Sequence, residues 1–273
     1  MIPARPSQLP IAITMGDPAG IGPEIIAKAF REDPAVTAGC FVVGDMATLR
    51  RASAVVSGPG RPLIPVAGID APQEAYATPP RCIPVLQTPQ RLGPVAVGRV
   101  SAEAGQAAAD CVVWAAQAAL RKEIGAIVTA PLHKEALAAA GISYPGHTEL
   151  LQAQAAAFLG KSVSEVPVRM MLANDELRTV LLSIHVALRD ALDAVTPENL
   201  LETLRITHES VGALLQRAPR IGVAGLNPHA GEGGLFGREE IDTIAPTIET
   251  ARRAGMDVRG PFAPDTVFMR ARA

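Results

Sequence analysis

The sequence has little of what defines several protein classes. Aromatic residues make up 3% of its 273 residues, and its three cysteines are odd in number and spaced too widely for a zinc ribbon. This usage argues against a disulfide framework and favours reduced thiols in a cytoplasmic protein. Neither sign of charge dominates, because Lys and Arg total 25 against 27 Asp and Glu. A net charge of −2 produces no overall positive electrostatic field that would attract nucleic acid or an anionic membrane, so neither is an expected partner.

Long apolar runs are also missing from the N-terminal region. The run from Ile11 to Met15 has five residues, too few for a signal peptide or a membrane span, so we expect an unexported protein. No Gly-x-Ser-x-Gly, Cys-x-x-Cys or His-Glu-x-x-His motif occurs, which leaves serine-hydrolase and zincin functions without support. Hydrophobic residues are plentiful at 48%, and this content predicts a large core and excludes general disorder.

A repeating pattern of short apolar run, turn and amphipathic stretch predicts an α/β fold with a mostly parallel sheet. The first repeat joins a strand at Ile11 to a helix at Pro23 through a glycine-rich loop. Ser101 is expected to cap a long helix that runs to Lys122. Residues 169–183 predict an antiparallel hairpin within the otherwise parallel pattern.

Two domains are expected, with a boundary near Glu123 to Gly125. Residues 1–125 would form an N-terminal α/β domain. Residues 126–273 would form a second domain, to which the family resemblance given below assigns metal binding, substrate binding and dimer formation.

Three histidines, His133, His185 and His229, follow predicted strands, the position at which α/β proteins bind ligands, and the last two are the best metal candidates. His185 comes after an apolar run that begins at Val180, and His229 comes after the run that begins at Ile221. Neutral imidazoles from separate strand ends can converge on one divalent ion. Each could equally be a hydrogen-bonded histidine of the interior, and the pattern alone leaves both interpretations open.

Other candidates also lie at turns and helix starts. The loop around Asp17 could bind an anion through its amides or could simply start a helix, and it does not match the dinucleotide-binding fingerprint. His147 and Thr148 could contact a substrate carboxylate or phosphate, or Thr148 could act only as a helix cap. Lys134 could bind phosphate or be an exposed lysine. Asp265 could be a carboxylate fixed beside a cation or a turn residue.

Six motifs, in order along nearly the whole chain, resemble those of the 4-hydroxythreonine-4-phosphate dehydrogenases of vitamin B6 biosynthesis. They are TMGDPAGIGPE at 14–24, TAPLHK at 129–134, GHTEL at 146–150, SIHVALRD at 183–190, LNPHAGEGG at 226–234 and PDTVF at 264–268. The first motif is also similar to the glycine loop of isocitrate and isopropylmalate dehydrogenases. The resemblance therefore implies their two-domain α/β/α fold.

The resemblance further implies an NAD- or NADP-dependent oxidation of a small phosphorylated hydroxy-amino acid. Its β-keto product would lose carbon dioxide to give 3-amino-2-oxopropyl phosphate. It implies one divalent ion per site (Zn, Mg or Co), with His185 and His229 matching two of the family's three metal histidines in a homodimer whose subunits share the site. His147 and Thr148 match substrate contacts. We assign catalysis to Asp265, as a proton-handling group, and to Lys134, and the resemblance assigns no cofactor-binding residue.

The family continues past the last motif into a His-Asp-Gln segment that carries the third metal histidine, whereas this sequence ends at Ala273. We expect a partial product of a longer gene, and the alternative is a shortened member with impaired catalysis. Other functions also stay open. Similar paralogues oxidise 4-phosphothreonate, 4-phosphoerythronate or a terephthalate cis-dihydrodiol. Outside the dehydrogenases, the alternatives are a non-catalytic ligand-binding protein and a metal-dependent aldolase or hydrolase that needs no nicotinamide.

Overall fold

The computed structural model describes residues 8–88 and 92–272. The chain divides into two compact units, Met1–Pro167 and Val168–Ala273. The first unit contains a five-stranded sheet in the order β3-β4-β2-β1-β5, and every pair of neighbouring strands in it is parallel. Its strands are β1 Ile11–Thr14, β2 Cys40–Gly44, β3 Val66–Ile69, β4 Ile83–Gln87 and β5 Ala126–Thr129. Its helices are α1 Gly22–Glu32, α2 Met46–Ser57, α3 Ala102–Leu120, α4 Lys134–Ala139 and α5 His147–Leu159.

Burial of β2 explains the arrangement of the first unit. All five residues of β2 are buried, as expected for a central strand covered on both faces. Helix α3 packs against β1, β2 and β5, and its Trp114 meets Phe41 of β2 edge to face, with ring centroids 6.0 Å apart. Ser101 caps α3 as expected, because its hydroxyl accepts a hydrogen bond from the Ala104 amide at 3.2 Å. The α/β class with a mostly parallel sheet is confirmed.

The first unit extends beyond the boundary that the sequence suggested near Glu123 to Gly125. Strand β5 pairs with β1 along its whole length, so the chain after Gly125 returns to the same sheet. Helices α4 and α5 then pack against α3, where Leu137 and Leu150 join a cluster of buried apolar residues. The compact units therefore separate at Pro167 and Val168.

The second unit contains two small sheets and four α-helices within residues 168–272, and a π-helical turn, Glu240–Ile244, precedes the third of these helices. Strands β6 Met171–Ala173 and β7 Arg178–Val180 form the predicted antiparallel hairpin, and β8 Arg220–Ala224 pairs in parallel with β9 Asp257–Phe262. Its helices are α6 Leu188–Asp193, α7 Pro197–Leu215, α8 Ala245–Arg253 and α9 Val267–Arg272. Its buried core is formed by Leu200, Leu204, Ile244, Ile248, Ala251 and Val258.

Candidate functional site

In the first unit, the carboxyl ends of β1 and β5 form a topological switch point. From β1 the chain passes through α1 to β2 on one side, and it later returns to β5 on the other side. Open parallel sheets bind ligands in the crevice that such a reversal creates. The glycine-rich loop follows β1, and the turn that leads to Lys134 follows β5. Two of the motifs singled out in the sequence therefore meet at one edge of the sheet.

Close packing explains two glycines of the loop after β1. The Asp17 amide donates a hydrogen bond to the Pro131 carbonyl at 3.0 Å, which holds the loop against the turn after β5. A Cβ on Gly16 would lie 2.5 Å from that carbonyl oxygen, and Gly16 has a φ of +72°. A Cβ on Gly22 would lie 2.7 Å from the Met15 carbonyl oxygen. The Asp17 carboxylate accepts the Ala19 amide at 2.8 Å, so these contacts support a packed turn that starts a helix rather than an anion cradle.

Gly16→Ala should therefore destabilise the protein by about 3 kcal/mol or more, because it combines a left-handed backbone with a clash against a carbonyl. Gly141→Ala is the matched control. Gly141 has a φ of +76°, but its Cβ would meet nothing within 4 Å, so it should cost only about 1 kcal/mol. Urea unfolding of both variants gives the comparison. Equal losses of unfolding free energy would show that the carbonyl contact is unimportant.

His147 is the first residue of α5 and lies beside the turn after β5. Gly146, and not Thr148, occupies the N-cap position, so Thr148 lies in the first turn of the helix instead of capping it. Partial burial lowers the pKa of His147, although a hydrogen bond to the Ala130 backbone opposes this effect. Its Nε2 is buried and has no hydrogen-bond partner among the described residues. A neutral imidazole that bonds Ala130 through Nδ1 would leave Nε2 as an acceptor.

Lys134 is the first residue of α4, and its side chain is exposed. It follows β5 by five residues, at the same edge of the sheet as the Asp17 loop. The position is compatible with binding a phosphate and equally with a solvated lysine, so its catalytic assignment stays a prediction.

In the second unit, His185 and His229 share an unusual backbone conformation. His185 follows β7, His229 follows β8, and both side chains are exposed. Both residues have a φ of +54°, in the left-handed region that costs a non-glycine residue about 1 kcal/mol or more. Residues held in such conformations cluster at ligand sites, where the surrounding structure compensates for the strain. This shared feature favours a functional role over that of interior histidines.

Asp265 lies at the same edge of a sheet as the His229 loop. It follows β9, whose parallel partner β8 leads into that loop, and the Gly225 amide donates to the Phe262 carbonyl at 2.7 Å. Asp265 itself is an exposed turn residue, and no ion pair found in residues 8–88 and 92–272 includes it. The cation expected beside it is not supplied by that part of the chain, and its catalytic role stays a prediction.

Sequence reasoning missed Glu240, a buried carboxylate beside the His229 loop. Its Oε1 accepts the Leu226 and Asn227 amides, each at 2.7 Å, and its Oε2 accepts the Asn227 side-chain amide at 2.9 Å. Burial alone would raise the pKa of Glu240, but the bonds from Asn227 and Leu226 outweigh it and hold that pKa below its usual range. A buried charge has no periodicity of its own, so only the adjacent Glu239-Glu240 pair could have drawn attention to it.

The imidazoles of His185 and His229 fit a divalent ion in donor type, because exposed nitrogens on strained loops suit Zn²⁺ or Co²⁺. They do not complete a site by themselves. Within the described residues no group of three His, Cys, Asp or Glu side chains could hold a metal ion. Metal binding by His185 and His229 stays a prediction.

Comparison with known proteins decides the family. The model of the family described as "Pyridoxal phosphate biosynthetic protein PdxA" matches residues 37–273. This chain belongs to the PdxA family. It is 48% identical over 263 residues to a 4-hydroxythreonine-4-phosphate dehydrogenase of Beijerinckia indica, an alignment that covers 96% of this chain and 74% of the relative. It is 44% identical over 262 residues to a D-threonate 4-phosphate dehydrogenase of Salmonella typhimurium, covering 96% and 76%.

Solved structures agree with this placement in the PdxA family. A crystal structure of 4-hydroxythreonine-4-phosphate dehydrogenase from Klebsiella pneumoniae superposes with a TM-score of 0.85 at 40% identity, over 97% of this chain and 78% of that one. These relatives are all named as dehydrogenases, which makes this PdxA chain an oxidoreductase by family. Of the helices in the described parts of the chain, none has both the length and the apolar character that a membrane span requires.

Proposed function

We propose that this PdxA-family chain is an NAD(P)- and divalent-metal-dependent dehydrogenase of 4-phosphohydroxy-L-threonine. The reaction converts the C3 secondary alcohol to a ketone, giving 2-amino-3-oxo-4-phosphooxybutanoate, a β-keto acid that loses carbon dioxide to form 3-amino-2-oxopropyl phosphate. The observation that carries the proposal is the pair of exposed, left-handed histidines, His185 and His229, at strand ends of a chain from this dehydrogenase family.

The side chains of this protein would bind and orient the substrate and manage its protons. A bound divalent ion would polarise the reacting hydroxyl and stabilise negative charge on its oxygen, and the nicotinamide would accept the hydride. His185 and His229 would hold that ion. His147 offers a neutral Nε2 acceptor that suits a substrate hydroxyl or ammonium, and Thr148 adds a hydroxyl. Lys134 would neutralise the phosphate, and Asp265 would take up the hydroxyl proton.

A second candidate substrate is 4-phospho-D-threonate, which carries a hydroxyl at C2 in place of the amino group. The Salmonella typhimurium relative named for that substrate is 44% identical over 96% of this chain, close to the 48% of the first relative. An Nε2 acceptor on His147 would accept a hydrogen bond from either group. The preferred substrate must therefore be identified by comparing the turnover rates of the two compounds.

The deciding experiment measures NADH and NADPH formation with each substrate, after chelation and again after adding Zn²⁺, Mg²⁺ or Co²⁺. We expect metal-dependent turnover with at least one phosphorylated substrate. Ligand binding without any reduced nicotinamide would favour the non-catalytic alternative, and turnover without nicotinamide would favour an aldolase or hydrolase.

We also propose a cytoplasmic homodimer. The three free buried thiols support a cytoplasmic location, and the exposed Leu172 of the β6–β7 hairpin supports a subunit contact. The same preparation should sediment at twice the monomer mass.

A further inference from the structure

The loop after β8 adopts a conformation that needs an external support. Residues 229–233 all have positive φ angles, between 41° and 79°, and form a short left-handed turn. Three of them, His229, Ala230 and Glu232, are not glycine. A chain segment rarely keeps several L-residues in this region unless neighbouring groups fix it there. The sequence of the turn alone therefore does not explain why His229 is presented in this way.

The Glu240 carboxylate provides contacts on both sides of this turn. It accepts the main-chain amides of Leu226 and Asn227, which immediately precede the turn, and the side-chain amide of Asn227. Asn227 in turn accepts the Ala230 amide through its carbonyl at 3.0 Å. A Cβ on Gly231 would lie 2.9 Å from Glu240 Oε2, so the turn closes directly over the carboxylate. One side chain thus fixes the entry to the turn and packs against its middle.

The groups that contact the Glu240 carboxylate are N–H donors and not cations. No ion pair within the described residues includes Glu240, although its residue is only 3% exposed. A buried carboxylate that has no cation beside it depends on the N–H groups that donate hydrogen bonds to it. A shift of the loop would remove those donors and leave the buried charge unpaired. The arrangement favours one loop conformation strongly over alternatives.

We propose that Glu240 is the positioning residue that holds the His229 loop in its left-handed form, so that His229 is already presented before any ion binds. The role of His229 as a metal ligand rests on the function proposed above. The stabilisation of the loop by Glu240 does not depend on that function. Groups that orient metal-binding histidines typically change metal affinity by about 10- to 100-fold when they are altered. Glu240 would act through the backbone of residues 226–231 and would not itself touch the ion or the substrate.

Glu240→Gln tests this proposal with little change in shape. Whichever way the new amide is turned, its NH₂ group faces an N–H donor of Asn227 or Leu226, so at least one bond becomes a repulsive contact. We expect amide hydrogen exchange at Leu226 and Asn227 to accelerate about tenfold or more in the metal-free protein, with β1 and β2 unchanged. Co²⁺ affinity, measured by titration calorimetry, should fall about 10- to 100-fold. Glu249→Gln is the matched control, because it removes a carboxylate of α8 that, among the described residues, pairs with Arg252 alone at the surface.

A rescue variant separates positioning from general stability. Ala230→Gly removes the left-handed penalty at one position of the turn, so Glu240→Gln/Ala230→Gly should regain Co²⁺ affinity several-fold over Glu240→Gln alone. Normal loop exchange in Glu240→Gln, or fast exchange with unchanged Co²⁺ affinity, would overturn the proposal. If the wild-type protein binds no metal, the proposed function fails, and the loop exchange still decides whether Glu240 holds the turn. If Glu240→Gln does not fold, Asn227→Ala is judged by the same two measurements, because it removes the side-chain amide's bonds to Glu239 and Glu240 and keeps both main-chain bonds to Glu240.

Discussion

Replacing either His185 or His229 with alanine should abolish metal-dependent formation of NADH or NADPH while leaving the protein folded. Both side chains are exposed, so their removal leaves no cavity in the core, although His229→Ala loses a tilted ring contact with Phe236. Polarisation of the substrate hydroxyl by a divalent ion is worth several kcal/mol, and about 4 kcal/mol corresponds to roughly 10³-fold in rate. We therefore expect kcat/KM to fall by at least about 10³-fold in each variant, together with loss of stoichiometric bound metal.

His208→Ala is the control for these variants, because His208 lies in the middle of α7 and belongs to none of the six motifs. It should keep both bound metal and turnover. Urea unfolding monitors whether all three variants fold. Full activity in His185→Ala or His229→Ala would refute the metal-ligand assignment, and loss of activity with metal retained would move that histidine from metal binding to substrate binding.

Much of the first unit follows from local sequence. The apolar runs that end before Gly16 and before Pro131 form β1 and β5 of the parallel sheet, and Ser101 caps α3 because its hydroxyl is suited to an unpaired helix amide. The position of the unit boundary did not follow. It depends on β5 pairing with β1 more than a hundred residues away and on α5 packing against α3. Long-range pairing of this kind leaves no mark at Gly125.

The site could be predicted in its residues more readily than in its geometry. His185 and His229 stood out because they follow apolar runs, yet their shared left-handed backbone is visible only in the folded chain. Thr148 was expected at the N-cap on residue type, but Gly146 takes that position. Glu240 was missed because its role comes from its buried hydrogen bonds to Leu226 and Asn227. A glutamate in the sequence does not reveal such tertiary contacts. Residue type thus indicated the chemistry, and tertiary contacts determined how each group is held.

His147 should give the second large effect and a distinct pH dependence. His147→Leu removes the Nε2 acceptor, and a hydrogen bond to a charged group is worth about 1.5–3 kcal/mol, so kcat/KM should fall roughly 10- to 100-fold. Burial lowers the pKa of His147 in the folded protein, so the unfolded chain holds the proton more tightly. The stability linked to this group is therefore present above pH of about 6.5 and is lost as the pH falls through the folded pKa.

The catalytic efficiency should fall at low pH, as the stability linked to His147 does. Protonation converts Nε2 from an acceptor into a donor, so wild-type kcat/KM should decline as the pH is lowered from 7 to 5. In His147→Gln, the part of that decline due to His147 should disappear, because its side-chain oxygen accepts at every pH. Titration of the substrate phosphate contributes equally to both profiles, so the difference between them isolates His147. Identical acidic limbs in the two profiles would contradict the assignment of this decline to His147.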